Sequence, residues 1–276
     1  MQIVGSVLVR NEDVFVEQAI RNVASFCDHI HALDHRSSDR TWEILRELAR
    51  ELDHLELERS SDAGRSHRRL ERYAGTPTWI VRVDGDELYD PAGLARFRET
   101  LLGGAHADVF ELKAHVLHCE SLDRAAGVAQ GFLAPPSRAG TKLFNLAAIE
   151  LWRGGWERLH GPSPVFRPGY GPESWRTLAD ETTWDSDPLR ALHLCFVRRS
   201  SLDQDDFASG RRNLMETGLY RRGFIGTLRR AIRRPLVSEH IKVIEARGDN
   251  WKRDKYRRGE RVTVDARPFF GGPSRA

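Results

Sequence analysis

The amino-acid sequence predicts an α/β protein built on an open, mostly parallel central sheet with helices on both faces. Two observations carry this expectation. Apolar runs of strand length alternate with stretches of helical periodicity through the first hundred residues, and strands separated by helices pair in parallel through right-handed crossovers. Three of the strand signals also end in polar clusters, VRNE (9–12), DHRSSD (34–39) and DGDE (84–87). In an open α/β sheet ligands bind outside the carboxyl ends of the strands, so these clusters are expected to face one crevice.

Taken in order, IVGSVLV is a β-branched run, and DVFVEQAIRNVASFC follows with Phe15, Ala19, Val23 and Phe26 at helical spacing. IHAL is a second strand ending at Asp34. DRTWEILRELAREL places Trp42, Leu45, Leu48 and Leu52 on one face, behind Ser38 or Asp39 as N-cap. HLELE alternates as a strand, AGRSHRRLERYA reads as a helix, and TWIVRV is the next strand. Asp90 before Pro91 is a helix start, with proline at the first helical position, so the acidic segment reads as a loop between strand and helix. Beyond residue 104, ADVFELKAHVL and TKLFNLAAIEL look like longer strands, while GFLAPPSRAG and RPGYGPES are proline- and glycine-rich loops. ALHLCFV is a further short apolar run. The expected organisation is therefore residues 1–104 and 105–198 as two halves of one domain, and 199–276 as a basic, mainly helical extension.

Composition narrows the function classes. With 276 residues, 40% hydrophobic and 30% charged, the chain can bury a substantial core. No apolar run approaches a membrane span, and the opening residues lack the basic start of a secretory signal. Three cysteines without CxxC spacing suggest neither a disulfide framework nor a zinc ribbon, so a reduced, cytoplasmic setting is expected. The net charge is only +3, but RRGFIGTLRRAIRRP and NWKRDKYRRGER concentrate arginine near the carboxyl end. That region could meet an anionic membrane surface, giving peripheral contact at its inner face. No nucleic-acid-binding motif accompanies it.

The stretch TWIVRVDGDELYDP sets Asp84, Asp86 and Glu87 against an apolar strand, with Gly85 between the first two acids. Asp84 and Asp86 can turn toward one point, where their repulsion calls for a positive partner. A hard divalent cation, Mg²⁺ or Mn²⁺, is the expected one, and Gly85 would admit a phosphate or sugar close to the backbone. Asp86 is expected to be a loop carboxylate whose conversion to Asn leaves the fold intact. Glu12 and Asp34, at adjacent strand ends with Val9 and Arg10, can accept from ribose hydroxyls or a base imide. Arg65, Arg68 and Arg69 can supply charge near a diphosphate.

Three segments together resemble the family 2 glycosyltransferases, enzymes of the GT-A fold that use nucleotide-diphosphate sugars. VLVRNEDVFVEQAIRNV looks like their opening strand and first helix, LDHRSSDRTWEIL is similar to their second strand end, and TWIVRVDGDE resembles their metal-binding segment. The match covers residues 3–100, and it implies that 1–104 is a nucleotide-sugar-binding half and 105–198 an acceptor-binding half of the same domain. It departs where members commonly carry a second acid and a glycine after the Asp34 position; here His35 and Arg36 stand. The resemblance implies transfer of a sugar from a nucleotide-diphosphate donor, UDP by default, to a hydroxyl of a glycan, lipid or small molecule, with inversion. It implies metal binding by Asp84 and Asp86, with His193 as a third ligand. The acceptor base is expected at Asp180 or Glu181, with His160 as competitor. Trp152, Trp156, Trp175 and Trp184 could pack on sugar rings. A non-catalytic nucleotide-binding scaffold and a sugar nucleotidyltransferase are the alternatives.

Overall fold

A computed structural model describes residues 1–155, 157–203 and 255–271. The chain begins with β1 (Gln2–Val9), α1 (Val16–Ala24), β2 (His29–Asp34), α2 (Thr41–Glu51), β3 (Leu55–Arg59), α3 (Arg65–Glu71) and β4 (Thr78–Val83). A short β5 (Glu87–Tyr89) and α4 (Pro91–Leu102) follow, then β6 (Glu111–Lys113), β7 (Val116–Asp123), β8 (Val128–Ala134), β9 (Thr141–Asn145), β10 (Ile149–Leu151), β11 (Val165–Phe166), β12 (Trp175–Thr177), β13 (Ala191–His193) and β14 (Arg261–Asp265).

Seven strands form the central sheet in the order β12-β6-β9-β4-β1-β2-β3. β1 pairs in parallel with both β2 and β4, while β9 runs antiparallel to β4 and β6, so the sheet is mixed. The chain lays down β1, β2 and β3 in one direction and then returns to place β4 on the other side of β1. The topological switch point therefore lies between β1 and β4, where this class of sheet opens a crevice.

Alternation along β1 shows how the two faces are covered. Ile3, Val7 and Val9 join one core with residues of α1, α2 and α4, whereas Val4 joins a second with Leu70 of α3 and Ile80 of β4. Helices thus pack on both faces, as the periodicity predicts. α4 begins as expected: the Asp90 carboxylate accepts from the amides of Ala92 (3.0 Å) and Gly93 (3.2 Å), with Pro91 at the first position. At α2 Arg40 holds the N-cap position without a side-chain bond, and Asp39 accepts from the Thr41 amide at 3.0 Å.

The second half departs from the expected elements. ADVFELKAHVL is broken at Ala114–His115, so that β6 joins the central sheet and β7 a second sheet ordered β14-β8-β7-β13-β5. GFLA, expected in a loop, completes β8 opposite β7. TKLFNLAAIEL is interrupted by a 3-10 turn between β9 and β10. The acidic segment is not wholly loop either, because Glu87–Tyr89 pairs with β13. Of the carboxyl-terminal extension, the helices expected from SSLDQDDFASGRRNLMETGLYRR and FIGTLRRAIRRP lie largely or wholly outside the described residues, and RVTVD is a strand, β14, against β8. It is anchored through Phe269, fully buried, and through the amide of Asn22 on α1, which donates to the carbonyls of Tyr89 (2.7 Å) and Phe269 (2.8 Å). Among the described residues no helix is long and apolar enough to cross a membrane.

Candidate functional site

The carboxyl ends of β1 and β4 bring Glu12, Asp84 and Asp86 to the switch point. β13 delivers His193 to the same place: it pairs antiparallel with β5, setting His193 opposite Glu87, and the Leu194 amide donates to the Asp86 carbonyl at 2.8 Å. His193 Nε2 stands 3.6 Å from Asp86 Oδ2. Pairing of strands distant in sequence, rather than the local loop, thus aims this histidine at the acids.

The positive partners that the acids call for are present as side chains. Arg158 and Arg82 flank Asp84; burial alone would raise its carboxyl, but these two cations outweigh burial and hold it far below the usual carboxylate range. Asp86 is ion-paired with Arg199, which also faces Glu12 Oε1 at 3.7 Å. Glu87 is bound by Lys142 at 2.6 Å, both side chains being almost wholly buried. Four acids and four cations therefore gather here. Asp86 is 2% exposed, so the expectation of a solvated loop carboxylate is corrected: removing its charge leaves Arg199 buried beside a weaker partner.

Gly85 has a packing reason. A Cβ there would overlap the Glu12 carboxylate and come within 2.8 Å of Val9 Cγ1, so glycine lets the β4 end close on the β1 end. Val9 is fully buried and its carbonyl accepts from the His35 amide at 2.8 Å, while Arg10 lies half-buried just beyond the strand. Glu12 caps α1 by its carbonyl and is itself held by Thr41 Oγ1, which accepts from the Glu12 amide at 2.8 Å.

Asp34 is also buried completely. Its carboxylate accepts from the Ser37 amide and hydroxyl and from Arg59 Nε at 2.9 Å, and so organises the loop 35–39. Arg65 and Arg69 do not reach the cluster; they pair with Glu58 and, for Arg69, also Glu56 on β3. Arg68 pairs with Asp62.

Of the three base candidates, the structure brings His160 to the acids and leaves two apart. His160 Nε2 is 3.3 Å from Arg82 Nη1, and its Nδ1 is 3.3 Å from Glu157 Oε1. Burial pushes the ring's pKa down; Glu157 pulls it up and Arg82 pushes it further down, so the net is a neutral ring at pH 7. Asp180 and Glu181 are exposed beyond β12, three strands from β4, or ~14 Å at the usual strand spacing. Glu181 faces Arg176 at 3.8 Å.

The tryptophans divide. Trp152 is core, packed edge-on to Phe110 at 5.7 Å between ring centroids. Trp184 packs on Phe269, and Trp156 lies outside the described residues. Trp175 is exposed beneath the Lys113 ammonium, 4.1 Å from its centroid. In the basic extension, Arg257 pairs with Glu120 at 2.7 Å, and the arginines from Arg211 to Arg253 lie outside the described residues.

Sequence reading missed Arg82, Lys142, Arg158 and Arg199. A signal existed for two of them, since Arg82 and Lys142 interrupt strands that are otherwise apolar, where a charge needs a partner.

No protein-family model and no curated protein matches the chain. Among solved structures it is similar to TarS of S. aureus (15% identity, TM-score 0.30, 44% of this chain and 22% of that one). It is similar also to glucosyl-3-phosphoglycerate synthase from Mycobacterium tuberculosis in complex with Mn²⁺, UDP-glucose and phosphoglyceric acid (16%, TM-score 0.34, 54% and 58%). A third likeness is to mannose-6-phosphate isomerase from Helicobacter pylori (10%, TM-score 0.35, 53% and 72%). The chain spans less than two thirds of the first two proteins. At these scores the likenesses assign no activity.

Proposed function

We propose that this chain is a GT-A-like glycosyltransferase that binds a nucleoside diphosphate sugar, UDP-linked by default, at the carboxyl ends of β1 and β4. The observation that carries the reading is the convergence of Glu12, Asp86 and His193 at the topological switch point. A carboxylate oxygen and an imidazole nitrogen 3.6 Å apart fit a hard or borderline divalent cation such as Mn²⁺. Asp86 and His193 would hold that ion, with Asp84 beside it. When bound, it supplies Lewis-acid stabilisation to the departing diphosphate.

The chain's own groups do the rest. Arg199 and Arg158 neutralise the acids in the absence of donor; both are long, permanently charged forks suited to phosphate oxygens. On donor arrival they exchange carboxylate for phosphate, and the charge balance of the crevice is kept. Asp34 acts at one remove, holding the loop 35–39 against which the nucleoside lies. His160 is the acceptor base: with its proton on Nδ1 facing Glu157, Nε2 keeps a lone pair that Arg82 Nη1 faces at 3.3 Å, and once the acceptor hydroxyl takes the place of that N–H a neutral ring can take the hydroxyl proton. The sugar is then displaced in line, with inversion.

The test is release of UDP from UDP-sugars by the full chain in Mn²⁺. His160→Gln should lower kcat about a hundredfold or more while leaving UDP affinity unchanged. Equal turnover in that variant removes His160 from the reaction, and no turnover of any nucleotide sugar by the parent chain removes the reading.

A further inference from the structure

Beside this cluster lies a second set of ligating side chains, two of which, His118 and Cys195, sugar transfer does not use. One nitrogen each of His118 and His193 and the Cys195 sulfur all lie within 4.8 Å of one another. The topology makes the set: β7 and β13 pair in parallel with His118 opposite His193, and Cys195 follows two residues later. His118 is buried, the other two are half-buried, and Tyr256 stacks on the His118 ring at 4.3 Å between centroids.

Proton placement is the informative feature. His118 Nε2 lies 3.0 Å from the Arg138 carbonyl, which can only accept, so this ring carries its proton on Nε2 and turns a lone pair on Nδ1 inward. His193 Nδ1 is 2.9 Å from that lone pair, and His193 Nε2 faces the Asp86 carboxylate at 3.6 Å. A neutral His193 has one proton for two positions. On Nδ1 it donates to the His118 lone pair and leaves the Nε2 lone pair facing the carboxylate at 3.6 Å; on Nε2 it leaves two Nδ1 lone pairs facing each other. A metal ion at the two Nδ1 atoms suits both rings, because each histidine then turns its other N–H outward, one bonded to a backbone carbonyl and one facing a carboxylate. Ligating histidines are oriented in this way by their second-shell partners.

We propose that His118, His193 and Cys195 form a binding site for a borderline-soft divalent metal, Zn²⁺ in particular, with Asp86 orienting His193. Two imidazoles and a thiolate select zinc over magnesium or manganese, and three protein ligands leave a fourth position for water or another donor. The site shares His193 and Asp86 with the sugar-transfer reading and draws its other two ligands from outside it. It uses the opposite nitrogen of His193 from the one offered to Mn²⁺, and a neutral ring serves one ion at a time.

The experiment is a metal titration of the full chain after removal of bound metal by chelator. Zn²⁺ is titrated in competition with a chromophoric chelator, and Co²⁺ is followed by absorbance. The expected result is one Zn²⁺ per chain, undisplaced by millimolar Mg²⁺, and a thiolate-to-cobalt charge-transfer band with Co²⁺. Cys195→Ser should abolish that band, and His118→Gln should weaken Zn²⁺ at least a hundredfold. Asp86→Asn should weaken it about tenfold to a hundredfold, the range typical of second-shell partners. Circular dichroism of each variant in chelator separates lost ligands from lost fold, and the parent chain's cobalt spectrum needs no variant at all. Absence of a thiolate band in the parent chain, or Zn²⁺ affinity unchanged in both folded His118→Gln and Cys195→Ser, overturns the proposal. UDP binding is measured separately, so its failure strikes the nucleotide reading alone.

Discussion

At the scale of single residues, the crevice is defined by buried charges held against partners of opposite sign. Lys142 and Glu87 are the sharpest case, since both are nearly inaccessible and their 2.6 Å contact is the charge-assisted hydrogen bond that justifies burying either. Lys142→Met should destabilise the protein by roughly 3–5 kcal/mol, because it strands a buried carboxylate. Lys142→Met combined with Glu87→Gln should recover most of that loss. Urea denaturation of the parent, the two single variants and the double variant gives the cycle; additive losses would mean that the pair is not coupled. Glu87 looks peripheral in the sequence, one residue beyond the paired aspartates, yet the structure makes it the most thoroughly buried acid of the segment after Asp86.

Element by element, much of the first half was legible. β1 to β4, all four helices and the Asp90 cap follow from apolar periodicity and from capping chemistry, which are local signals. The second half was not, because its short strands are chosen by partners far along the chain. β5 has three residues and exists through β13, a hundred positions later, and the break at Ala114–His115 sends one apolar run into two sheets. The same limit hid the cations of the site: Arg158 and Arg199 meet the aspartates only through such long-range pairing. One inter-element tie is open to a pH test. Asp28, at the loop between α1 and β2, accepts from Arg98 of α4 at 2.6 Å and from the Ile3 amide at 2.7 Å. Burial alone would raise its carboxyl, but these bonds outweigh burial and lower the pKa. A depressed carboxylate stabilises the fold fully above its unfolded value near about 4, and the contribution is lost as the pH falls through the folded value. Arg98→Met should therefore reduce stability at pH 7 by under about 1 kcal/mol, since the pair is partly exposed, and flatten the dependence below about pH 4. Thermal unfolding across pH 2–7 measures both.

The whole molecule joins its ends through α1. Asn22 binds the backbone of β5 and of the carboxyl-terminal turn at once, so Asn22→Leu should leave two buried carbonyls short of a donor and cost about 1–3 kcal/mol. Amide exchange should then quicken first in residues 261–271, and uniform quickening would place the loss elsewhere. The same organisation explains why the crevice is a meeting point: β1 and β4 supply acids, β13 supplies His193, and the segment after β13 supplies Arg199. The proposed function requires this meeting point to take a nucleoside diphosphate together with a divalent cation. Isothermal calorimetry of UDP against the full chain, in Mn²⁺ and again in excess chelator, tests it most directly. The account predicts saturable binding with Mn²⁺ that weakens at least tenfold in chelator. Affinity that is equal in the two conditions, or no binding of any nucleoside diphosphate in either, would contradict it and leave Asp86 as a structural partner of Arg199.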